Sequence, residues 1–166
     1  MFTEKNVKEI NENFIKAIGD EWMLVSAGNE KDYNMMTASW GFVGEMWRVP
    51  VAVTVIRPSR YTKKFVDENE YFALSFYGDD AKKTIHSICG SKSGRDVNKT
   101  ELCGLSPVFS DETVYFNQAR LVLICKKMYV SPMKKEYIKD SRIDELYDND
   151  YHIAYVGEIV KCLVNE

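Results

Sequence analysis

The sequence predicts an α+β fold, in which an antiparallel sheet or barrel carries helices at its rim. The chain has 166 residues, enough for one domain that buries roughly 70% of its unfolded surface. About seven short segments have the β-branched and aromatic composition of strands, and few of them are separated by helices. Parallel strands need a crossover connection, so this order favours antiparallel pairing. No linker or repeat divides the chain, and residues 1–166 are predicted to form a single domain.

The chain begins with a predicted helix. Val7, Ile10, Phe14 and Ile18 are three or four residues apart, which places them on one helical face. Gly19 follows and ends the helix.

Three strands are predicted next, over residues 22–27, 35–40 and 49–56. Gly28 begins a turn after the first of them. The third is rich in valine and has Pro50 near its start, a position where a strand tolerates proline.

The middle of the chain is predicted to alternate helix and strand. Ser59 caps a helix over residues 60–69, and a strand follows at 71–76. One of the two aspartates at 79–80 caps a second helix that runs through about residue 88.

The second half of the chain begins with a predicted loop. Residues 91–110 mix charged and small side chains, with one helical turn after residue 96. Strands are predicted at 114–116 and 120–130, a helix at 142–147 and a final strand at 151–164.

Composition and charge disfavour several classes of function. The net charge is −3, whereas a general nucleic-acid binder is usually basic. The longest stretch without a charged side chain, residues 33–44, has 12 residues and is too short to span a membrane. The N-terminus lacks the apolar core of a signal peptide, so a cytoplasmic location is expected.

Cysteine and histidine are sparse, which disfavours a metal site. The four cysteines are far apart in sequence, and there are two histidines. Cys89 is interpreted as a packed thiol. His86 lies on a charged predicted helix and is expected at the surface, whereas His152 begins the last strand and could reach a functional groove.

Small and hydroxyl side chains occupy the second predicted strand. Thr37 and Ser39 flank Ala38 and precede Trp40, so both hydroxyls face one side of the sheet. The small side chains would let a flat ligand approach the main chain, whose polar groups could bind the edge of a ring. The alternative is a half-buried strand whose hydroxyls face water.

A basic segment follows the third predicted strand. Arg57 precedes a predicted helix start that contains Ser59, Arg60 and Thr62. Free N–H groups, hydroxyls and a guanidinium together favour a phosphate site. The alternative is a capped surface helix with solvated side chains.

A second basic segment covers residues 90–99. It combines glycines and serines with three cations, among them Lys92 and Arg95. Such a loop could close over a phosphate or an anionic substrate. It lacks the ending of a Walker loop and does not follow a strand, so a solvated loop is the alternative.

Together these segments resemble the flavin reductase-like family, in particular its flavoredoxin-type branch. The matching runs are Asn34-x-Met36-Thr37-x-Ser39-Trp40-Gly41, Arg57-Pro58-x-Arg60-Tyr61-Thr62, Tyr71-Phe72-x-Leu74-Ser75-Phe76, Ser93-Gly94-Arg95-Asp96 and Tyr155-x-Gly157-Glu158-Ile159-Val160. They occur in the family's order over nearly the whole chain. The resemblance implies a split β-barrel that binds FMN, as a homodimer with flavin near the subunit interface.

The resemblance also implies roles for particular residues. Thr37, Ala38, Ser39 and Trp40 would line the isoalloxazine ring, Val55, Ile56 and Arg57 would pass beside the flavin, Ser59, Arg60 and Thr62 would hold the phosphate, and Lys92 and Arg95 would lie near the cofactor. Members of the family often use a nicotinamide nucleotide to reduce flavin or an acceptor. Others carry electrons to a protein or metal acceptor.

The resemblance therefore implies an FMN-dependent oxidoreductase that takes electrons from NAD(P)H or a redox partner and passes them to a small-molecule or protein acceptor. A flavin ring accepts hydride by itself, which agrees with the absence of an acid–base constellation in the sequence. The chain lacks the Gly-x-Gly-x-x-Gly fingerprint, so NAD(P)H would dock only transiently. Two other classes stay open: a split-barrel protein that binds flavin or haem without turnover, and an RNA-binding barrel, which the acidic balance disfavours.

Overall fold

The computed structural model describes residues 1–110 and 113–165 and forms one large sheet with short helices around it. The strands are β1 (Phe2–Lys5), β2 (Met23–Gly28), β3 (Tyr33–Ala38), β4 (Gly41–Met46), β5 (Val49–Ile56), β6 (Tyr71–Phe76), β7 (Pro107–Phe109), β8 (Val114–Phe116), β9 (Leu121–Pro132) and β10 (Ile153–Asn165). The α-helices are α1 (Phe14–Gly19), α2 (Thr62–Glu68), α3 (Ile85–Ser91), α4 (Lys99–Leu102) and α5 (Ser141–Asp144). Three 3₁₀ segments cover Val7–Glu9, Asp79–Lys83 and Lys135–Tyr137.

The large sheet has the strand order β3-β2-β6-β9-β10-β5-β4, with β1 paired to β10 and all neighbours antiparallel. β3 and β4 end the path and do not pair with each other, so the sheet is not closed. β10 pairs with β5 along its first half and with β1 along its second half. This arrangement confirms the predicted antiparallel α+β fold.

The largest cluster of the core packs strands of this sheet against α1 and α2. Its fully buried members include Val25, Phe72, Leu74 and Leu123. Tyr155 is also buried, and its hydroxyl donates a hydrogen bond of 2.7 Å to Asp67 at the end of α2. α2 therefore packs firmly beside the strands that carry the candidate site.

The predicted N-terminal helix is wrong as a continuous element. The Asn6 side chain caps the 3₁₀ segment Val7–Glu9, and the Asn13 side chain caps α1 by accepting from the Lys16 N–H at 3.1 Å. Asparagine side chains compete for backbone N–H groups and so restart a helix. The apolar side chains of this segment nevertheless face the core, as their spacing indicates.

Strands β1, β4 and β7 were not predicted from the sequence. β4 contains two glycines and exposes most of its side chains. It joins β5 through Trp47 and Arg48, whose φ values are +54° and +67°. Positive φ at both positions of a two-residue hairpin is normally encoded by Asn-Gly or a similar pair, and that signal is missing here.

The predicted helix caps at Ser59 and at the 79–80 aspartates are wrong. α2 begins at Thr62 without a side-chain cap, because Pro58 and Ser59 form a turn closed by the Arg60 N–H on the Arg57 carbonyl at 3.0 Å. Asp79–Lys83 is a 3₁₀ segment, and Thr84 separates it from α3. The single helical turn predicted after residue 96 is α4.

None of the described helices is long and apolar enough to cross a bilayer. Within residues 1–110 and 113–165, no group of three or more His, Cys, Asp or Glu side chains could hold a metal ion.

Candidate functional site

Two adjoining cavities lie where β3, β5, α2 and α3 meet. The first has a volume of about 180 Å³ and the second about 160 Å³. Met36 and Arg60 line both, so the two cavities adjoin at these side chains, and together they are called the groove. The predicted residues at the first are Thr37, Ala38, Ser39, Trp40, Val55, Arg57 and Arg60. Those at the second are Ser59, Arg60, Thr62, Lys92 and Arg95.

Strand alternation decides which residues of β5 reach the groove. Val55 and Arg57 point into the first cavity, whereas the Ile56 side chain between them is fully buried in the core. Ile56 therefore contributes packing, and its side chain does not line the groove.

The end of β3 offers backbone groups as well as side chains. β3 is a terminal strand of the sheet, so the backbone groups on its outer edge are not used by a neighbouring strand. Such groups can bind the polar rim of a flat ring. Thr37 and Ser39 lie half-buried at this edge.

His86 is a buried residue of this site, and its predicted surface position is wrong. Its side chain is only 2% exposed, and its Nδ1 lies 2.9 Å from the Thr37 hydroxyl. Burial and the nearby Lys82 charge lower the pKa of His86 to about 4, so the ring is neutral at pH 7. A neutral ring either accepts from or donates to Thr37, and this choice sets which hydrogen-bonding role the Thr37 hydroxyl presents to a ligand.

An aromatic wall closes the other side of the first cavity. Trp40 packs against His152, with ring centroids 5.1 Å apart, and the Tyr147 hydroxyl lies 2.7 Å from His152 Nδ1. Burial and the Arg57 charge lower the pKa of His152 to about 4. The three aromatic side chains of the wall are therefore uncharged at neutral pH. The expectation that His152 reaches a groove is confirmed.

Arg57 and Ser59 attach the segment at 141–151 to the groove. Arg57 donates to the Leu146 carbonyl at 3.0 Å and lies over the Tyr147 ring at 4.9 Å. The Ser59 hydroxyl donates to Asp150 at 2.6 Å. Both predicted site residues thus use part of their hydrogen-bonding capacity within the protein.

The second cavity is strongly basic. Arg60, Lys92, Arg95 and Lys99 line it, and none of the described lining residues is acidic. Arg60 donates one hydrogen bond, to the Gly90 carbonyl at 3.0 Å. The remaining N–H groups of its guanidinium make it the main candidate to bind an anion in this cavity.

Lys99, the last cation of the second basic segment, is buried. It is 5% exposed and donates to the Met35 carbonyl at 2.7 Å. Burial lowers the pKa of Lys99. An anion in the second cavity would compensate the desolvation of this charge.

Close packing of Asn34 against Gly94 brings the basic loop onto β3. The Asn34 amide donates to the Thr62 hydroxyl at 3.0 Å. A Cβ at Gly94 would lie 2.3 Å from Asn34 Oδ1. Any larger residue would force the Asn34 side chain to shift, so Gly94 lets the loop with Lys92 and Arg95 approach the strand with Asn34 in place.

The groove fits a ligand with a flat ring at one end and a phosphate at the other. Small side chains, backbone groups and an aromatic wall surround the first cavity, and four cations surround the second. This donor set fits FMN, because its ring has both polar and apolar edges and its phosphate carries close to two negative charges.

Sequence reasoning did not name Asn34 or His86 as members of the site. Asn34 belongs to the run of small and hydroxyl side chains on β3, but nothing local shows that its amide is buried. For His86 no local signal exists, because tertiary packing alone buries it. Lys99 was expected in the second basic segment, but its burial was not.

Comparison with known proteins finds a family that matches most of the chain. The flavin reductase like domain matches residues 16–166. No curated protein sequence matches the chain.

Similar structures have the same fold. The FMN-binding domain of a flavin reductases-like enzyme from Shewanella baltica OS155 is 17% identical, with a TM-score of 0.69 over 99% of this chain and 77% of that chain. Flavoredoxin from Methanosarcina acetivorans is 20% identical, with a TM-score of 0.68 over 98% and 76%. The NADH:FAD oxidoreductase of Streptomyces globisporus C-1027, solved with NAD and FAD fragments, is 14% identical, with a TM-score of 0.64 over 87% and 74%. These likenesses confirm the predicted split-barrel fold.

Proposed function

This chain belongs to the flavin reductase like domain family, and from that premise we propose that it is an FMN-dependent oxidoreductase. It takes electrons from NAD(P)H or a redox partner and passes them to a small-molecule or protein acceptor. The observation that carries the proposal is the junction of the two cavities at Arg60. It joins a site for a flat ring to a site for a phosphate.

Each part of the groove has a distinct task toward FMN. Thr37, Ala38 and Ser39 bind the polar edge of the ring, and Trp40 with His152 shields its apolar side from water. Arg60 binds the phosphate, assisted by Lys92 and Arg95. When bound, the flavin supplies the hydride- and electron-accepting chemistry, so the chain needs no acid–base triad.

The Thr37–His86 pair orients a hydroxyl at the ring edge. His86 is neutral at pH 7 and is fixed in the core, which holds the Thr37 side chain in one rotamer. His86 Nδ1 donates to this hydroxyl or accepts from it, according to the tautomer of His86, and the His86 carbonyl at 3.4 Å is a second acceptor for the hydroxyl proton.

We also propose that the working unit is a homodimer. Phe42, Met46, Trp47 and Tyr129 are between 43% and 58% exposed, and Trp47 packs on Tyr129 with ring centroids 6.0 Å apart. Large apolar side chains exposed together are typical of an interface. Light scattering is expected to give twice the 19.2 kDa of one chain. A monomer mass at micromolar concentration with FMN present would disprove the dimer.

FMN titration tests the proposed cofactor. Binding is expected at about one FMN per chain, with a change in flavin fluorescence at micromolar protein. No change at this concentration would overturn the proposal. NAD(P)H oxidation with an added acceptor then separates an enzyme from a carrier, because a carrier binds FMN without accelerating this reaction.

A further inference from the structure

Two of the cysteines are in direct contact. Cys89 lies in α3 and Cys103 caps the C-terminus of α4, and their sulfur atoms are 3.7 Å apart. Both are free thiols. Cys125 and Cys162 lie instead in β9 and β10, held by strand pairing on both sides.

We propose that Cys89 and Cys103 are a redox-convertible pair, which low-molecular-weight disulfides such as glutathione disulfide oxidise to an intramolecular disulfide. Nothing in this inference depends on the proposed FMN chemistry. It rests on the sulfur–sulfur contact and on the different accessibility of the two thiols.

Accessibility sets the order of the reaction. Cys103 is half-buried and Cys89 is fully buried, so the oxidant reaches Cys103 first. The Cys103 sulfur, after losing its proton, bonds to one sulfur of the oxidant, and the other leaves as a thiol. Cys89 then loses its proton and attacks the Cys103 sulfur, which releases the second thiol. Two protein thiols are oxidised, and one disulfide is reduced to two thiols that take up the two protons.

The backbone around Cys103 can make the required approach. A disulfide has a sulfur–sulfur distance of about 2.0 Å, so the two sulfurs must move about 1.7 Å closer together. α4 is a single turn of four residues, and Gly104 follows it in the left-handed region with φ of +62°. A short helix between two irregular segments adjusts more easily than a strand within a sheet.

The surroundings make the reaction slow. Burial raises the pKa of Cys89 to about 12 and also raises the pKa of Cys103, while the Lys99 charge opposes both shifts. Few molecules therefore hold a thiolate at neutral pH, and oxidation takes longer than at an exposed thiol.

The disulfide would close a loop over residues 90–102. This loop carries Lys92, Arg95 and Lys99 of the second cavity, and it begins at Gly90, the acceptor for Arg60. Oxidation would thus fix the chain segment that supplies most of the cavity's positive charge.

Peptide mapping tests the proposal on the full-length protein. The folded protein is incubated with glutathione disulfide, free thiols are alkylated in denaturant, and trypsin is added. Trypsin cleaves after Lys83, Lys92, Lys99 and Arg120, which separates Cys89 on residues 84–92 from Cys103 on residues 100–120. We expect these two peptides joined by a disulfide that dithiothreitol reverses, with Cys125 and Cys162 fully alkylated.

Cys103→Ser is the control variant, because its half-buried position tolerates a hydroxyl. The variant should keep α4 intact. After the same treatment, its Cys89 should be alkylated. If all four cysteines of the wild-type protein are alkylated after incubation with glutathione disulfide, the proposal is overturned. A glutathione adduct that stays on Cys103 without resolution by Cys89 would also overturn it, as would a disulfide that includes Cys125 or Cys162.

Discussion

Replacing Arg60 with alanine is expected to weaken the binding of FMN much more than the binding of riboflavin. The two ligands have the same ring, but riboflavin has no phosphate. Arg60 lines both cavities and spends one hydrogen bond on the Gly90 carbonyl, which leaves the rest of its guanidinium for the ligand. Its loss should therefore act mainly on the binding of the phosphate.

The magnitude follows from the kind of bond removed. One charge-assisted hydrogen bond contributes about 1.5–3 kcal/mol, which corresponds to roughly 10- to 150-fold in the dissociation constant. Riboflavin affinity should change less than about fivefold, since less than about 1 kcal/mol is at stake there. The fold should survive, because losing the bond to Gly90 costs only about 1 kcal/mol.

Fluorescence titration of both flavins against the wild type and Arg60→Ala measures the effect. Lys64→Ala is the matched control: Lys64 lies in α2, is exposed, and lines neither cavity. The assignment of the phosphate is refuted if Arg60→Ala weakens FMN and riboflavin equally, or weakens neither. It is also refuted if Lys64→Ala has the same effect on FMN.

The other predictions concern stability, packing and assembly. The pKa values of His86 and His152 in the folded protein are about 4, below the usual 6.5. The unfolded chain therefore binds more protons between these values, and stability, complete above about pH 6.5, should fall as the pH drops toward 4. Each histidine should lower the free energy of unfolding by about 2 kcal/mol between pH 7.5 and pH 5, and a flat urea-unfolding profile would contradict this. Gly94→Ala should displace Asn34 and weaken FMN binding about tenfold, an effect of about 1.4 kcal/mol. Gly44→Ala is its control: a Cβ there meets open space, so FMN binding should be unchanged. Trp47→Asp should convert the proposed dimer to a monomer in light scattering, and an unchanged mass would place the interface elsewhere.

Much of the sheet was predictable because its strands carry their own signals. The bounds of β5, β6 and β8 were predicted to the residue, since each is a short β-branched or aromatic run between turn signals. β4 was missed because glycine and exposed side chains obscure its alternation, and its hairpin turn uses Trp47 and Arg48 instead of small residues. A local pattern indicates the secondary structure that one segment favours by itself. β4 forms a strand because it pairs with β5, and a local pattern does not show this pairing.

In the candidate site, too, local patterns identified some residues, whereas others depend on tertiary packing. Thr37, Ser39 and Arg60 were identified because they lie on contiguous runs with recognisable chemistry. His86 could not be identified, because nothing near it in sequence shows that α3 turns it toward Thr37. The predicted helix cap at Ser59 was wrong for a related reason. The Ser59 hydroxyl donates its hydrogen bond to Asp150, a residue 91 positions away in sequence.

The attachment of residues 141–151 to the groove has a consequence for the kinetics of ligand entry. Its links to the rest of the protein include single hydrogen bonds from Arg57 and Ser59, both exposed to solvent, and α5 buries no side chain. β9 and β10 beside it are paired along most of their length. We expect amide hydrogens in this segment to exchange with deuterium orders of magnitude faster than those of the two strands, without global unfolding. Access to the ring cavity would then be governed by this small local opening, and the rate of flavin exchange would be independent of the stability of the sheet.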